Sequence, residues 1–246
     1  MYGPGYLGPV PADLHTEITL NQPHQLDPEI GALDDFLADA VLARVPEDKM
    51  VEVGERLGNL SDALYGVRYH QRQFLFRLRE VTARYAEVQG FASPQMSVVF
   101  HDHPLKFEAE ALVTRYRTAL DATAHVLAPA LGLKPQNFGA LATWAGRQRS
   151  PADSVIAAVQ ETLAQYKEWI ERVSNYRHGI AHQSRFAEYR GVGYGVHGVA
   201  AARVEEYDAA DFAIEVWAKL LAFLRDLFVP LSTQGSNPEV DSTEPS

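Results

Sequence analysis

Residues 50–88 read MVEVGERLGNLSDALYGVRYHQRQFLFRLREVTARYAEV. Within them Met50, Val53, Leu57, Leu60, Leu64, Val67, Gln71, Phe74, Leu78, Val81, Tyr85 and Val88 follow one another at alternating spacings of three and four. Gln71 alone among these positions is polar. A sustained 3.5-residue period lays one narrow apolar seam along a helix, facing a partner helix. At 1.5 Å of rise per residue such a helix is roughly 60 Å long. Gly54, Gly58 and Gly66 each weaken it by up to ~1 kcal/mol relative to alanine, so a kink or break is expected near Leu60-Ser61-Asp62. The period predicts a partner but leaves two open: a second arm of the same chain, or a helix of another molecule.

Working outward, Ile30, Leu33, Phe36, Leu37, Ala40 and Val41 form an apolar helix face that begins at Pro28 and ends near Pro46. Residues 1–27 carry proline and glycine without a sustained period and read as an extended arm. Downstream, Gly90 to Pro104 is a connector with a β-branched stretch at Val98-Val99-Phe100. A helix is expected over about Phe107–Ala128, turning Phe107, Ala111, Leu112, Tyr116, Ala119, Leu120, Ala124 and Leu127 inward. A short helix is expected near Phe138–Ala145. Another starts at Ser150-Pro151-Ala152-Asp153, where proline suits the first helical position, and continues to about Arg177. The glycines of Gly191-Val192-Gly193-Tyr194-Gly195 separate two runs, predicting a β-hairpin or mobile loop between Arg185 and Tyr207. The last helix, about Ala209–Phe228, aligns Phe212, Val216, Leu220, Phe223, Leu224 and Leu227, and Pro230 is expected to stop it. Residues 229–246 read as a disordered tail. The fold class is therefore all-α, with a small β insertion.

The chain has 246 residues, 46% of them hydrophobic, which is enough for a sizeable core. Its 32 acidic and 22 basic side chains leave a formal net charge of −10. That excludes a broad electrostatic footprint on nucleic acid, while allowing a local cationic cleft. With no cysteine, disulfides, thiolate metal ligands and a cysteine nucleophile are excluded. The N-terminal MYGPGYLGPVPADL lacks the basic start and apolar core of a secretory signal, and no apolar run is long enough to span a membrane. A cytoplasmic protein without membrane contact is expected.

Chemistry concentrates in Asn175-Tyr176-Arg177-His178-Gly179-Ile180-Ala181-His182. Arginine stays cationic and grips phosphate with a planar fork of donors; histidine exchanges protons near neutrality. On a helix, Asn175, His178 and His182 form one polar stripe, opposite Tyr166, Trp169, Val173, Tyr176 and Ile180. Arg177 lies about 140° from His182. The two converge only if Gly179 loosens the helix, if the arginine stem reaches around, or if a second subunit supplies one of them. The structural role for Arg177 is an ion pair with Glu108 or Glu110; for His182 it is a cation at the negative end of a helix. His178 and Asn175 read as polar supports. His101-Asp102-His103 is a poor chelate without further ligands and reads as a solvated loop. His197 is a lid residue or simply exposed. Tyr65, Tyr69 and His70 read as packing residues.

An arginine followed after four residues by a histidine, at the end of a long amphipathic helix and before a connector and a final helix, resembles the signature of the HEPN superfamily of helical bundles. His178 occupies the polar position directly after the arginine, where asparagine is commoner. The resemblance covers roughly residues 105–228, and implies the division 1–27 arm, 28–104 long helical hairpin or coiled coil, 105–228 HEPN-like bundle, 229–246 tail. It implies a homodimer that joins two motifs in one cleft. The implied activity is metal-independent RNA cleavage through 2′-hydroxyl attack, without a cofactor, as in toxins and defence effectors. Arg177 and His182 would be catalytic, and an antitoxin or other protein a further partner. The superfamily equally implies an alternative, a non-catalytic module that binds RNA or scaffolds proteins. A coiled-coil interaction protein with an incidental motif is the third expectation.

Overall fold

The computed structural model describes residues 27–88, 98–99, 102–134, 137–148, 153–183, 186, 189–195 and 198–232. The arm at 1–26, the tail at 233–246, His101, His197 and the Ser150-Pro151-Ala152 helix start lie outside them. Six α-helices account for most of the described chain: α1 (Pro28–Leu42), α2 (Met50–Val88), α3 (His103–Ala130), α4 (Phe138–Arg147), α5 (Ser154–Gln183) and α6 (Ala209–Ser232). The fold is all-α with a small antiparallel β insertion, as expected. No described helix is long and apolar enough to cross a membrane.

The seam of α2 is filled from within the chain. Val53, Leu60, Leu64, Val67 and Phe74 are buried and α2 packs along α3. Two cross-links, Arg56 to the His125 carbonyl (3.3 Å) and His70 to Glu108 (2.8 Å), show that the two arms run antiparallel. The helix continues through Leu60-Ser61-Asp62 without a break. Three buried aliphatic side chains there contribute about 1.5–3 kcal/mol each, which outweighs the ~1 kcal/mol per glycine. Ser61 also donates to Asp34 of α1 at 2.6 Å. Gly66 has a local role, since a Cβ there would meet the Arg115 side chain at 3.2 Å.

One core runs from Ile30 to Leu231 and includes residues of every helix. The division expected at 104/105 therefore falls between the two arms of one hairpin. At the centre lies α6, which packs against α1, α2, α3 and α5; its expected stripe from Phe212 to Leu227 is entirely buried.

Helix ends differ from expectation in instructive ways. Asp102 caps α3, its carboxylate accepting from Leu105 N at 2.8 Å. The helix therefore starts four residues early, and its buried line is Leu105, Ala109, Leu112, Val113 and Tyr116. Phe107, expected inside, is 61% exposed, because it lies about 160° around the helix from Leu105 and Ala109 on that line. Pro129 and Pro230 sit inside the last turns of α3 and α6 rather than beyond them. Each removes the N–H that its i−4 carbonyl needs. A neighbouring helix supplies the missing donor: Arg56 to His125 O, and Thr162 to Asp226 O at 3.5 Å. Gly132, at φ 68°, then closes α3, with Leu133 N donating to Ala128 O at 2.8 Å.

The β insertion consists of two three-stranded antiparallel sheets. One joins Val98–Val99 (β1), Gly193–Gly195 (β3) and Gly198–Ala200 (β4); the other joins Tyr189–Arg190 (β2), Arg203–Val204 (β5) and Tyr207–Asp208 (β6). Gly193 and Gly195 are strand residues paired with Ala200 and Gly198. The glycine run expected as the turn is therefore one arm of the hairpin.

Candidate functional site

The site is built on α5. Asp153 starts the helix by accepting from Val155 N at 2.8 Å. Val155, Val159, Trp169, Ile170, Val173 and Tyr176 are buried. Tyr166 donates to Asp226 of α6 at 2.7 Å; its phenol is pushed up to about 12, first by burial and then by that carboxylate. Trp169 lies under the Lys219 ammonium, 4.4 Å from the ring centre. Tyr176 packs against Phe186 and Phe212, at 5.3 and 6.0 Å between ring centres. These aromatic contacts hold the C-terminal half of α5 as regular helix, so it runs to Gln183, six residues past the expected end, and carries Gly179 within it.

Continuity fixes the geometry of the motif. Asn175, His178 and His182 are all exposed and share one stripe, as expected. The rings of His178 and His182 lie 4.3 Å apart between centres, tilted by 43°. Arg177 is exposed too, but an unbroken helix directs it about 140° away from His182. The structure thus brings the two histidines together, and within one chain it separates Arg177 from His182.

Arg177 makes no ion pair with any described carboxylate. The two expected as its partners are engaged elsewhere: Glu108 with His70 at 2.8 Å and Arg77 at 3.7 Å, and Glu110 with Lys106 at 3.5 Å. Arg172, five positions earlier, behaves differently. It pairs with Glu168 at 3.1 Å, donates to the Tyr207 phenol and lies over that ring. Sequence alone does not separate these arginines; a tyrosine opposite one of them, on β6, does.

The face that carries Asn175 extends back along α5. Gln160, Ala164, Lys167, Glu171, Asn175, His178 and His182 succeed one another at spacings of three and four. The first five line a groove of about 660 Å³ between α4 and α5. Phe138, Ala142 and Ile170 form part of its apolar wall, and Arg117 stands at one edge, over Phe138 and paired with Asp121 at 3.1 Å. Ser174 Oγ is buried beside it without a hydrogen-bond partner among the described residues. Sequence reasoning misses this groove, although the repeat of spacings ahead of the motif signals it.

The remaining candidates fall elsewhere. Asp102 is a helix cap and His103 is exposed beside Phe107, so the His101-Asp102-His103 stretch forms no cluster among the described residues. Tyr69, expected to pack, is 56% exposed. Among the described residues, no group of three or more histidine, aspartate or glutamate side chains surrounds a common point. No protein family, curated protein or solved structure compared with this chain matches it.

Proposed function

We propose that this chain is a metal-independent endoribonuclease of the HEPN type, working as a homodimer, with Arg177 and His182 as the catalytic pair. The observation that carries this reading is the exposure of Arg177 together with the engagement of Glu108 and Glu110 by other cations. A buried or paired arginine would have a structural reason to be where it is; this one has none among the described residues. Its guanidinium is available to neutralise charge growing on a phosphorane. His182 would exchange the proton of a ribose 2′-hydroxyl or of the departing 5′-oxygen. Because Arg177 and His182 diverge on one helix, the complete site draws one of them from each subunit. The groove beside Asn175 gives a single strand a route to the histidines, with the exposed Asn175 amide as a hydrogen-bonding group.

The test uses the untagged chain with RNA in EDTA. The wild-type protein is expected to leave 2′,3′-cyclic phosphate ends and to spare DNA. Arg177→Ala and His182→Ala are each expected to lower cleavage by about 10²-fold or more while keeping the wild-type melting temperature. Cleavage that survives both substitutions sinks the proposal.

A second reading has its own support: the unbroken α5, which separates the motif's arginine and histidine in each chain. It is a non-catalytic module that binds RNA or scaffolds a protein partner. RNA binding without cutting by the wild-type chain would favour it.

A further inference from the structure

We propose that His178 and His182 form a chelating site for one divalent transition-metal ion of the zinc, nickel and copper class, on the outer face of α5. Positions i and i+4 lie one above the other on a helix. Here that spacing brings the ring centres to 4.3 Å. An imidazole nitrogen binds such an ion at about 2.0–2.1 Å, so two rings at a right angle around one ion come to about 4.5 Å between centres. The two rings are therefore within reach of one ion. Both rings are exposed, so an ion arrives without losing its remaining waters. No hydrogen bond to a described residue occupies a ring nitrogen of either histidine. The helix beneath them is already ordered by Tyr176 against Phe186 and Phe212, so binding costs little further entropy.

The position on the helix favours a cation as well. His178 and His182 fall in the last turns of α5, which ends at Gln183, where unpaired carbonyls give the helix its negative end. Imidazole suits zinc, nickel and copper rather than magnesium or calcium. With no third side-chain ligand among the described residues, water completes the coordination, and the ion stays exchangeable.

This site does not rest on the ribonuclease reading. If both hold, the ion engages the nitrogen that His182 needs for proton transfer, and Ni²⁺ inhibits cleavage.

The experiment is calorimetric titration of the untagged, metal-stripped full chain with Ni²⁺, paired with melting curves. One equivalent is expected to bind and to raise the melting temperature. His178→Ala and His182→Ala are each expected to weaken that affinity by roughly tenfold or more and to remove the shift, while melting like the wild type without metal. His103→Ala, at an exposed histidine outside the pair, is expected to bind as the wild type does. Failure of the wild type to bind, or unchanged binding by the double variant His178→Ala/His182→Ala, overturns the proposal. No RNA enters the titration, so a failed ribonuclease reading leaves the metal site standing, and the reverse.

Discussion

Arg68 and Arg72 direct their charge at Asp27, a carboxylate only 4% exposed, whereas Arg177 stands in solvent with no described carboxylate beside it. At the first place one oxygen of Asp27 caps α1, accepting from Glu29 N at 3.0 Å. The other receives Arg68 at 3.0 Å and Arg72 at 2.7 Å. Arg68 goes on to Gln71, whose amide donates to the Ala213 carbonyl at 3.1 Å, and it lies over Trp217, which donates to Glu29. One carboxylate thus ties together the start of α1, the middle of α2 and the side of α6. The difference teaches how to sort arginines. Where a guanidinium is met by a desolvated carboxylate and further acceptors, removing a member destabilises the protein. Where it meets only water, its removal leaves the fold alone and any lost activity reports on chemistry.

The largest effect should come from Asp27→Ala. It removes a helix cap and leaves two guanidinium groups without their shared partner, at a cost of about 3 kcal/mol. The partly exposed arginines, which water resolvates, hold it to the low end of the range for buried pairs. Urea unfolding measures it, and the same experiment on Arg177→Ala should give a change within about 0.5 kcal/mol. Comparable losses from the two substitutions would erase the distinction between the regions.

Gln71→Leu probes the middle of the network. The glutamine is the one polar position of the α2 seam and is buried, with both ends of its amide bonded. Leucine forfeits two hydrogen bonds worth about 1 kcal/mol each but buries more apolar surface in their place. A net loss of about 1 kcal/mol is expected in the same urea measurement. A gain in stability would mean that the amide contributes to partner choice along the seam rather than to its strength.

Much of this architecture is legible in the residues because it is local and periodic. The seam of α2, the stripe of α6 and the buried side of α5 all follow from spacings of three and four; the α6 stripe is buried throughout, whereas the α2 seam is buried through its middle and leaves Met50 exposed. Legibility fails where distant segments decide. Nothing in residues 50–88 names α3 as the partner. Phe107 lies outside its expected place because Leu105 and Ala109, on the opposite side of the helix, take the buried line. Gly193 and Gly195 look like a turn because glycine permits one, yet pairing with Gly198–Ala200 makes them strand. The clamp on Asp27 is half visible: Pro28 reads as a helix start but Asp27 falls in the expected arm, and Arg68 and Arg72 share a face at i, i+4, while the contact between them spans some forty residues. At the motif, the stripe of Asn175, His178 and His182 is readable, while the continuity of α5 past Gly179 depends on Tyr176 packing against Phe186 and Phe212.

The smallest effect belongs to a second carboxylate, Asp34, which sharpens the contrast with Asp27 from the other side. Asp34 sits inside α1 with a hydroxyl for company, accepting from Ser61 at 2.6 Å. Burial raises its pKa above the ordinary aspartate value; the Ser61 hydrogen bond opposes this, and neighbouring Asp35 adds to it. A group whose folded pKa is raised binds its proton more tightly in the folded state. Its protonated form therefore favours folding at low pH, and that advantage is lost as pH rises through the folded pKa. Asp34→Asn should consequently raise the melting temperature at neutral pH, because the amide still accepts from Ser61 and carries no charge to desolvate. The gain should fade as pH falls through the carboxylate range, where Asp34 itself becomes neutral. Solvent screening of this partly exposed group keeps the effect at or below about 0.5 kcal/mol. Melting curves of the two proteins at neutral and acid pH decide it. A variant less stable than the wild type at neutral pH would show that the Asp34 charge is stabilised by its surroundings, as that of Asp27 is, and not opposed by them.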